Sequence, residues 1–261
     1  MADALGGRTI VVTRPQGQAE EFARSIRAAG GMPVVFPTIV IEPTREVAAL
    51  DAALQRLGDH DLAIFVSANA VIETRARLAL SGAASLRDIA IAAAPGPGTA
   101  AALRESGAAR VIVPLARFDS EGLLAQIDRE GLMPKRALLL RGEGHGRDWL
   151  ADALRARGAI VDVVACYRRR RATPDPRALR ALLDGPVPDA VTVTSAEGGE
   201  YLLELLGESA VGWISRATVF VPHANIANRL GRLGIHHVRV TAGGDAGLMR
   251  GLIDHFASVP S

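Results

Sequence analysis

The chain of 261 residues holds a single cysteine, Cys166. That excludes an intrachain disulfide and a cysteine-based metal cluster. Aromatic residues are equally scarce, at 4%. The 49% hydrophobic content must therefore pack as Ala, Val, Leu and Ile, which, with 27 glycines, suits helices lying close on a sheet. No apolar run approaches the roughly 18 residues of a membrane-spanning helix. Residues 1–8 lack the long apolar core of a signal peptide, so a cytoplasmic protein with no membrane partner is expected. Net charge is only +2 despite a pI near 9.2. Nothing is basic enough to argue for nucleic acid, whereas local arginine clusters suit an anionic small molecule. The six histidines (His60, His145, His223, His236, His237 and His255) form no H-x-x-x-H or H-x-x-H pair, so no metal site is expected. There is no G-x-x-x-x-G-K-[ST] phosphate loop. No large heptad or interface stripe is present, and a monomer is the default expectation.

What is present is alternation. Short apolar runs at 9–13, 62–66, 89–93, 111–113, 137–140, 160–167, 190–194, 218–221 and 238–240 are separated by helical patterns, together with an extended run at 34–41. Apolar strands between amphipathic helices read as parallel α/β. The two halves also repeat. Residues 61–68 (DLAIFVSA) match 189–196 (DAVTVTSA) at a spacing of 128, placing Ser67 on Ser195. Residues 14–30 match 141–158 with one residue inserted, and 89–113 match 217–240. Two sheets of five strands follow. Either each half forms its own domain, or the long extended runs 33–42 and 160–171 are paired crossings. In the second case the chain leaves one domain after its second strand, builds the other, and returns. Pro37 and Pro43 make the first run a poor central strand, and the length of both runs leans towards the crossing.

Ligands of open α/β sheets bind beyond the carboxyl ends of the strands, so the residues there are the candidates. They are Arg14 after the first strand; Ser67, Ala68 and Asn69 after 62–66; Gly96 and Thr99 after 89–93; Arg141 and Gly142 after 137–140; Ser195 and Ala196 after 190–194; and His223 and Asn225 after 218–221. Helix N-termini with free backbone N–H groups and small hydroxyls suit carboxylate or phosphate. The plain alternative is that Ser67, Thr99 and Ser195 only cap helices. The run Gly96-Pro97-Gly98-Thr99-Ala100-Ala101 fits G-x-G-x-x-A but lacks an acidic residue at the end of the next strand. Tyr167 and the run Arg168 to Arg171 continue a strand too long for its sheet. Read alone, Tyr167 is more often a packed aromatic, and the arginines a solvated run.

An ordered set of motifs then carries a resemblance: 12–15 (VTRP), 65–71 (FVSANAV), 96–99 (GPGT), 140–143 (LRGE) with Gly146 and Arg147, 166–168 (CYR) and 194–195 (TS). In this order and spacing the chain resembles the uroporphyrinogen-III synthase family along nearly its whole length. The resemblance implies two similar five-stranded parallel-sheet α/β domains joined by a two-stranded antiparallel linker, with the active site in the cleft between them. The domains would comprise 1–36 with 172–261, and 43–164, with linker strands 37–42 and 165–171. It also implies cyclisation of hydroxymethylbilane with loss of water and inversion of the last pyrrole ring, in tetrapyrrole and heme biosynthesis. No metal or organic cofactor would take part. By position, Tyr167 matches the tyrosine proposed to assist loss of the hydroxyl, and Ser67, Thr99, Arg141, Gly142 and Ser195 match substrate-binding motifs. The chain departs from the family at Val66, where threonine is frequent, at Pro95, and at 223–226, where His223 or Asn225 replaces hydroxyl contacts. A non-catalytic binding protein for an anionic small molecule and a nucleotide-dependent enzyme using Gly96 to Thr99 are the rival readings.

Overall fold

The computed structural model describes residues 3–82, 85–144 and 149–258. His145, Gly146 and Arg147 lie outside the described residues. Eleven strands are formed among the described residues: β1 (Thr9–Val12), β2 (Met32–Val35), β3 (Ile39–Pro43), β4 (Leu62–Phe65), β5 (Ala92–Ala93), β6 (Val111–Ile112), β7 (Arg136–Gly142), β8 (Ile160–Arg171), β9 (Ala190–Thr192), β10 (Thr218–Val221) and β11 (Val238–Val240). The chain divides into two compact units, Met1–Val40 with Arg170–Ser261, and Ile41–Arg169. Both boundaries fall inside strands, one in β3 and one in β8.

The first unit carries a sheet in the order β11-β10-β9-β1-β2, with each of these pairs parallel. Its central strands are apolar at consecutive positions because helices cover both faces. Ile10 and Val12 enter one core with Phe22, Ile26, Leu248 and Leu252. Val11, Val191 and Val219 enter the other with Leu202, Trp213 and Leu230. A period of two thus sends alternate residues into two separate cores.

The second sheet has the order β3-β8-β7-β4-β5-β6, with β8, β7, β4, β5 and β6 parallel to one another. The extended run expected over 33–42 is two strands rather than one. It breaks at Pro37, so that β2 stays in the first sheet while β3 joins the edge of the second. A proline has no N–H for a ladder, which makes the break fall naturally there. Leu62, Ile64 and Leu139 face Leu123, Ile127, Leu150 and Leu154. Ala63, Phe65, Leu138 and Leu140 face Leu54, Val71, Leu78 and Leu103.

The sequence repeat has a structural counterpart at Gly30 and Gly158. Each lies just beyond its helix, Gln16–Ala28 or Trp149–Ala156, with φ of 81° and 88°. A residue with a Cβ is strained there, so glycine ends both helices.

One irregularity in β8 sets the position of its aromatic residue. Along β7 and β8 the register runs Leu140↔Val164, Arg141↔Ala165, then Gly142↔Tyr167, skipping Cys166. Strict alternation from Val164 would turn Tyr167 toward the Leu139 face. The bulge resets the alternation, and Val164, Cys166 and Tyr167 all enter the core of Phe65 and Leu140. A bulge re-aims side chains in this way.

Candidate functional site

In the second unit β4, β7 and β8 lie side by side, so their carboxyl ends converge. Phe65 pairs with Leu140, and Val66 N–H donates to Leu140 O at 3.2 Å. Two residues beyond Phe65, Ser67 takes an extended conformation and caps the helix Ala68–Ser81 by accepting from Ala70 N–H at 3.2 Å. From the other side of β7, Tyr167 brings its phenol to 3.0 Å from Ser67 Oγ. Gly142 lies between them. A Cβ there would stand 2.8 Å from Tyr167 Cζ, so only glycine leaves the ring its place. Tyr167 is fully buried, while Ser67 is half-buried.

The arginine run is sorted by the strand. Arg168 pairs with Glu42 at 2.6 Å. Arg169 donates to the Tyr167 hydroxyl at 3.0 Å, its guanidinium 5.6 Å from the ring centroid. Arg171 pairs with Glu204 at 3.0 Å. None of these three is merely solvated. Glu143 accepts from Thr44 Oγ1 at 2.8 Å and from Arg45 N–H, bonds that hold its carboxyl below the usual range, the Arg45 bond first.

Ala68 and Asn69 open the helix that Ser67 caps. Gly96, not Thr99, is the cap of the helix Pro97–Glu105; Thr99 sits inside its first turn, buried. The glycine-rich loop joins β5 to the helix Pro97–Glu105 and so to parallel β6, a βαβ unit; what a dinucleotide fingerprint still lacks is an acidic residue at the end of β6, where Val113 and Pro114 stand. Arg141 O accepts from Cys166 Sγ at 3.2 Å. Burial pushes the Cys166 thiol up to about 12, so the lone cysteine is no nucleophile at neutral pH.

In the first unit Ser195 repeats the role of Ser67. It caps the helix Ala196–Leu206, accepting from Gly198 N–H at 3.0 Å. The repeat therefore preserves a cap whose acceptor binds the N–H three residues on. Ala196 opens that helix. A Cβ on Gly198 would be 3.0 Å from Ser195 Oγ and 3.3 Å from Thr38 Oγ1, so two hydroxyls flank this glycine. Thr38 in turn donates to Thr13 O at 3.2 Å, and Thr13 to Thr192 O at 2.8 Å. His223 is the cap residue of the helix Ala224–Arg232 without a side-chain capping bond, and Asn225 Oδ1 accepts from Ile226 N–H at 2.9 Å. Arg14 is committed elsewhere: it pairs with Asp245 at 2.6 Å and lies 4.7 Å from the Phe22 ring centroid.

Sequence reasoning missed Thr13, Thr38 and Arg169. Thr13 and Thr38 follow β1 and β2 closely, and the rule that selected Ser67 would have found them. Arg169 had no such signal, because its role depends on the bulge. Among the described residues no group of three His, Cys, Asp or Glu is arranged to hold a metal ion. Nor, among them, is any helix long and apolar enough to cross a membrane.

Two α/β units, each ending parallel strands in loops that present hydroxyls and helix N-termini, define an α/β protein whose strand ends offer groups of the kind that suit an anionic small molecule. The comparisons give the particular family. The family model described as Uroporphyrinogen-III synthase HemD matches residues 20–246. The uroporphyrinogen-III synthase of Escherichia coli K12 is 30% identical over 238 residues, covering 91% of this chain and 96% of that protein. That of Synechococcus elongatus is 33% identical over 215 residues, covering 81% and 80%. Among solved structures, the uroporphyrinogen-III synthetase of Helicobacter pylori 26695 superposes with a TM-score of 0.59 at 19% identity, covering 94% of this chain and 98% of that one. A mutant uroporphyrinogen III synthase of Thermus thermophilus gives 0.58 at 21% identity, covering 97% and 100%. At these identities the structures show the shared fold. The chain belongs to the uroporphyrinogen-III synthase family, lyases that cyclise hydroxymethylbilane.

Proposed function

We propose that this chain cyclises hydroxymethylbilane to uroporphyrinogen III, with loss of water and inversion of the terminal pyrrole ring, and that its sheet-edge loops hold the substrate's eight carboxylates. It works as a cytoplasmic monomer, with no nucleic-acid partner and no cofactor. Ser67, Ala68, Asn69, Gly96, Thr99, Arg141 and Gly142 act from the second unit, and Ser195, Ala196, His223 and Asn225 from the first. The observation that supports this reading best is the meeting of Ser67 and Tyr167 at the joined ends of β4, β7 and β8.

Loss of the hydroxyl from an electron-rich pyrrole needs little acid help. The harder step is making the resulting cation attack the substituted carbon of the last ring. Holding the chain folded is a positioning effect, and helix N-termini and hydroxyls supply fixed dipoles to developing charge. Tyr167, fully buried and bonded to Ser67, assists departure of the hydroxyl only through Ser67, in a secondary role. Purified protein should therefore consume hydroxymethylbilane faster than unassisted closure does. Consumption at the unassisted rate would favour the binding-protein reading instead. Tyr167→Phe should lower the rate without abolishing it. A loss beyond about 10⁴-fold, the upper range for one acid–base group, would show that chemistry dominates over positioning.

A further inference from the structure

The hydrogen bonds around Tyr167 have a direction, and that direction reaches the substrate side of Ser67. A guanidinium has donors only. Arg169 therefore donates to the Tyr167 oxygen at 3.0 Å and cannot accept its proton. The phenol is fully buried, and among the described residues its remaining partner is Ser67 Oγ at 3.0 Å. A buried hydroxyl proton without an acceptor is costly, so it goes to Ser67. Ser67 Oγ then accepts twice, from Tyr167 and from Ala70 N–H at 3.2 Å. Both lone pairs are filled, and its own hydrogen has no acceptor among the described residues. Ser67 is only half-buried, so that hydrogen points out to whatever the loop holds.

We infer that Arg169 is a positioning residue for the cyclisation. By fixing the polarity of the chain Arg169→Tyr167→Ser67 it makes the Ser67 hydroxyl an obligate donor toward a substrate carboxylate. Successive donations along such a chain strengthen one another. The repeat supplies the contrast. Ser195 accepts from Gly198 N–H in the same way but has no tyrosine bonded to it, so nothing sets the direction of its proton. The inference rests on the reading that Ser67 binds substrate.

The test reverses the polarity. Arg169 is exposed on β8, so its variants keep the core intact. Arg169→Glu places an acceptor beside the phenol; Tyr167 then donates to it and accepts from Ser67, which loses its outward proton. Arg169→Lys keeps a donor. Both are made also in a Tyr167→Phe background, where the difference in charge remains but the relay is gone. The KM for hydroxymethylbilane of Arg169→Glu should exceed that of Arg169→Lys by at least about tenfold beyond the ratio in the Tyr167→Phe background, with kcat little changed, as for a lost hydrogen bond to a carboxylate. An equal ratio in the two backgrounds overturns the inference, because Arg169 then acts through charge alone. A change confined to kcat overturns it as well. Ser67→Gly, a substitution a helix cap tolerates, separates the two levels. If it leaves KM unchanged, Ser67 does not bind substrate and the site reading itself fails. If it raises KM while the two ratios stay equal, only the relay fails.

Discussion

Gly142→Ala is a small change with a calculable consequence. The added methyl would stand 2.8 Å from Tyr167 Cζ, 2.9 Å from Cε2 and 3.2 Å from the hydroxyl oxygen. Ordinary carbon contacts lie at about 3.5–4.0 Å, so the ring must give way by roughly 0.7–1.2 Å. The ring is fully buried among Phe65, Leu140 and Val164 and has no open side to move into. Overpacking of this kind costs about 1–3 kcal/mol. For a domain of this size, that corresponds to a Tm drop of roughly 2–12 °C. The displaced phenol also stretches its 3.0 Å bond to Ser67, so kcat/KM for hydroxymethylbilane should fall together with Tm. Thermal melting with a coupled activity assay checks both. A double variant sharpens the result: with Tyr167→Ala the ring is gone, and Gly142→Ala should then add little further loss. If Gly142→Ala leaves Tm and kcat/KM unchanged, or costs as much without the ring, Gly142 is not reserved for Tyr167 and the packing argument fails.

Three further outcomes follow from the same structure. Phe22→Ala should cost about 3–5 kcal/mol in a denaturant titration, because the ring is fully buried between β1 and the helix that carries it; a cost below about 1 kcal/mol would contradict the core assignment. Asp162 is held below its usual value of 3.8, first by the hydrogen bond from His60 at 3.0 Å. A depressed carboxyl stabilises the fold at pH above its unfolded value, and the benefit disappears as pH falls through the folded one. Asp162→Asn should therefore melt earlier than the parent at about pH 7, with the gap closing below about pH 3.8; a gap independent of pH would refute the ionic part of the contact. Finally, Cys166 should resist a thiol reagent in the native protein and react at once in denaturant, since its thiol is pushed to about 12 by burial; fast native labelling would show that the Tyr167 neighbourhood opens readily.

The fold was legible because its signals are local. Apolar runs such as 62–65 and 137–140 are buried on both faces of a parallel sheet, so composition alone marks them. The repeat placed Ser67 on Ser195, and the structure gives them the same capping geometry. The resemblance of the ordered motifs pointed to the family that the comparisons support. What was not legible depends on contacts between distant segments. The bulge at Cys166 has no mark in the pattern, yet it decides which way Tyr167 faces. Arg169 looked like one member of a solvated run until that bulge brought the phenol to it. Arg14 looked available for an anion because its partner Asp245 is 231 residues away along the chain.

The central claim is that the chain steers ring closure as well as permitting it. The most direct measurement is the isomer composition of the product. Purified protein is incubated with hydroxymethylbilane, the product is oxidised, and the type I and type III porphyrins are separated. A clear excess of type III over the unassisted mixture is expected, sustained in the presence and absence of added nucleotide. Type I alone, the product of unassisted closure, would contradict it.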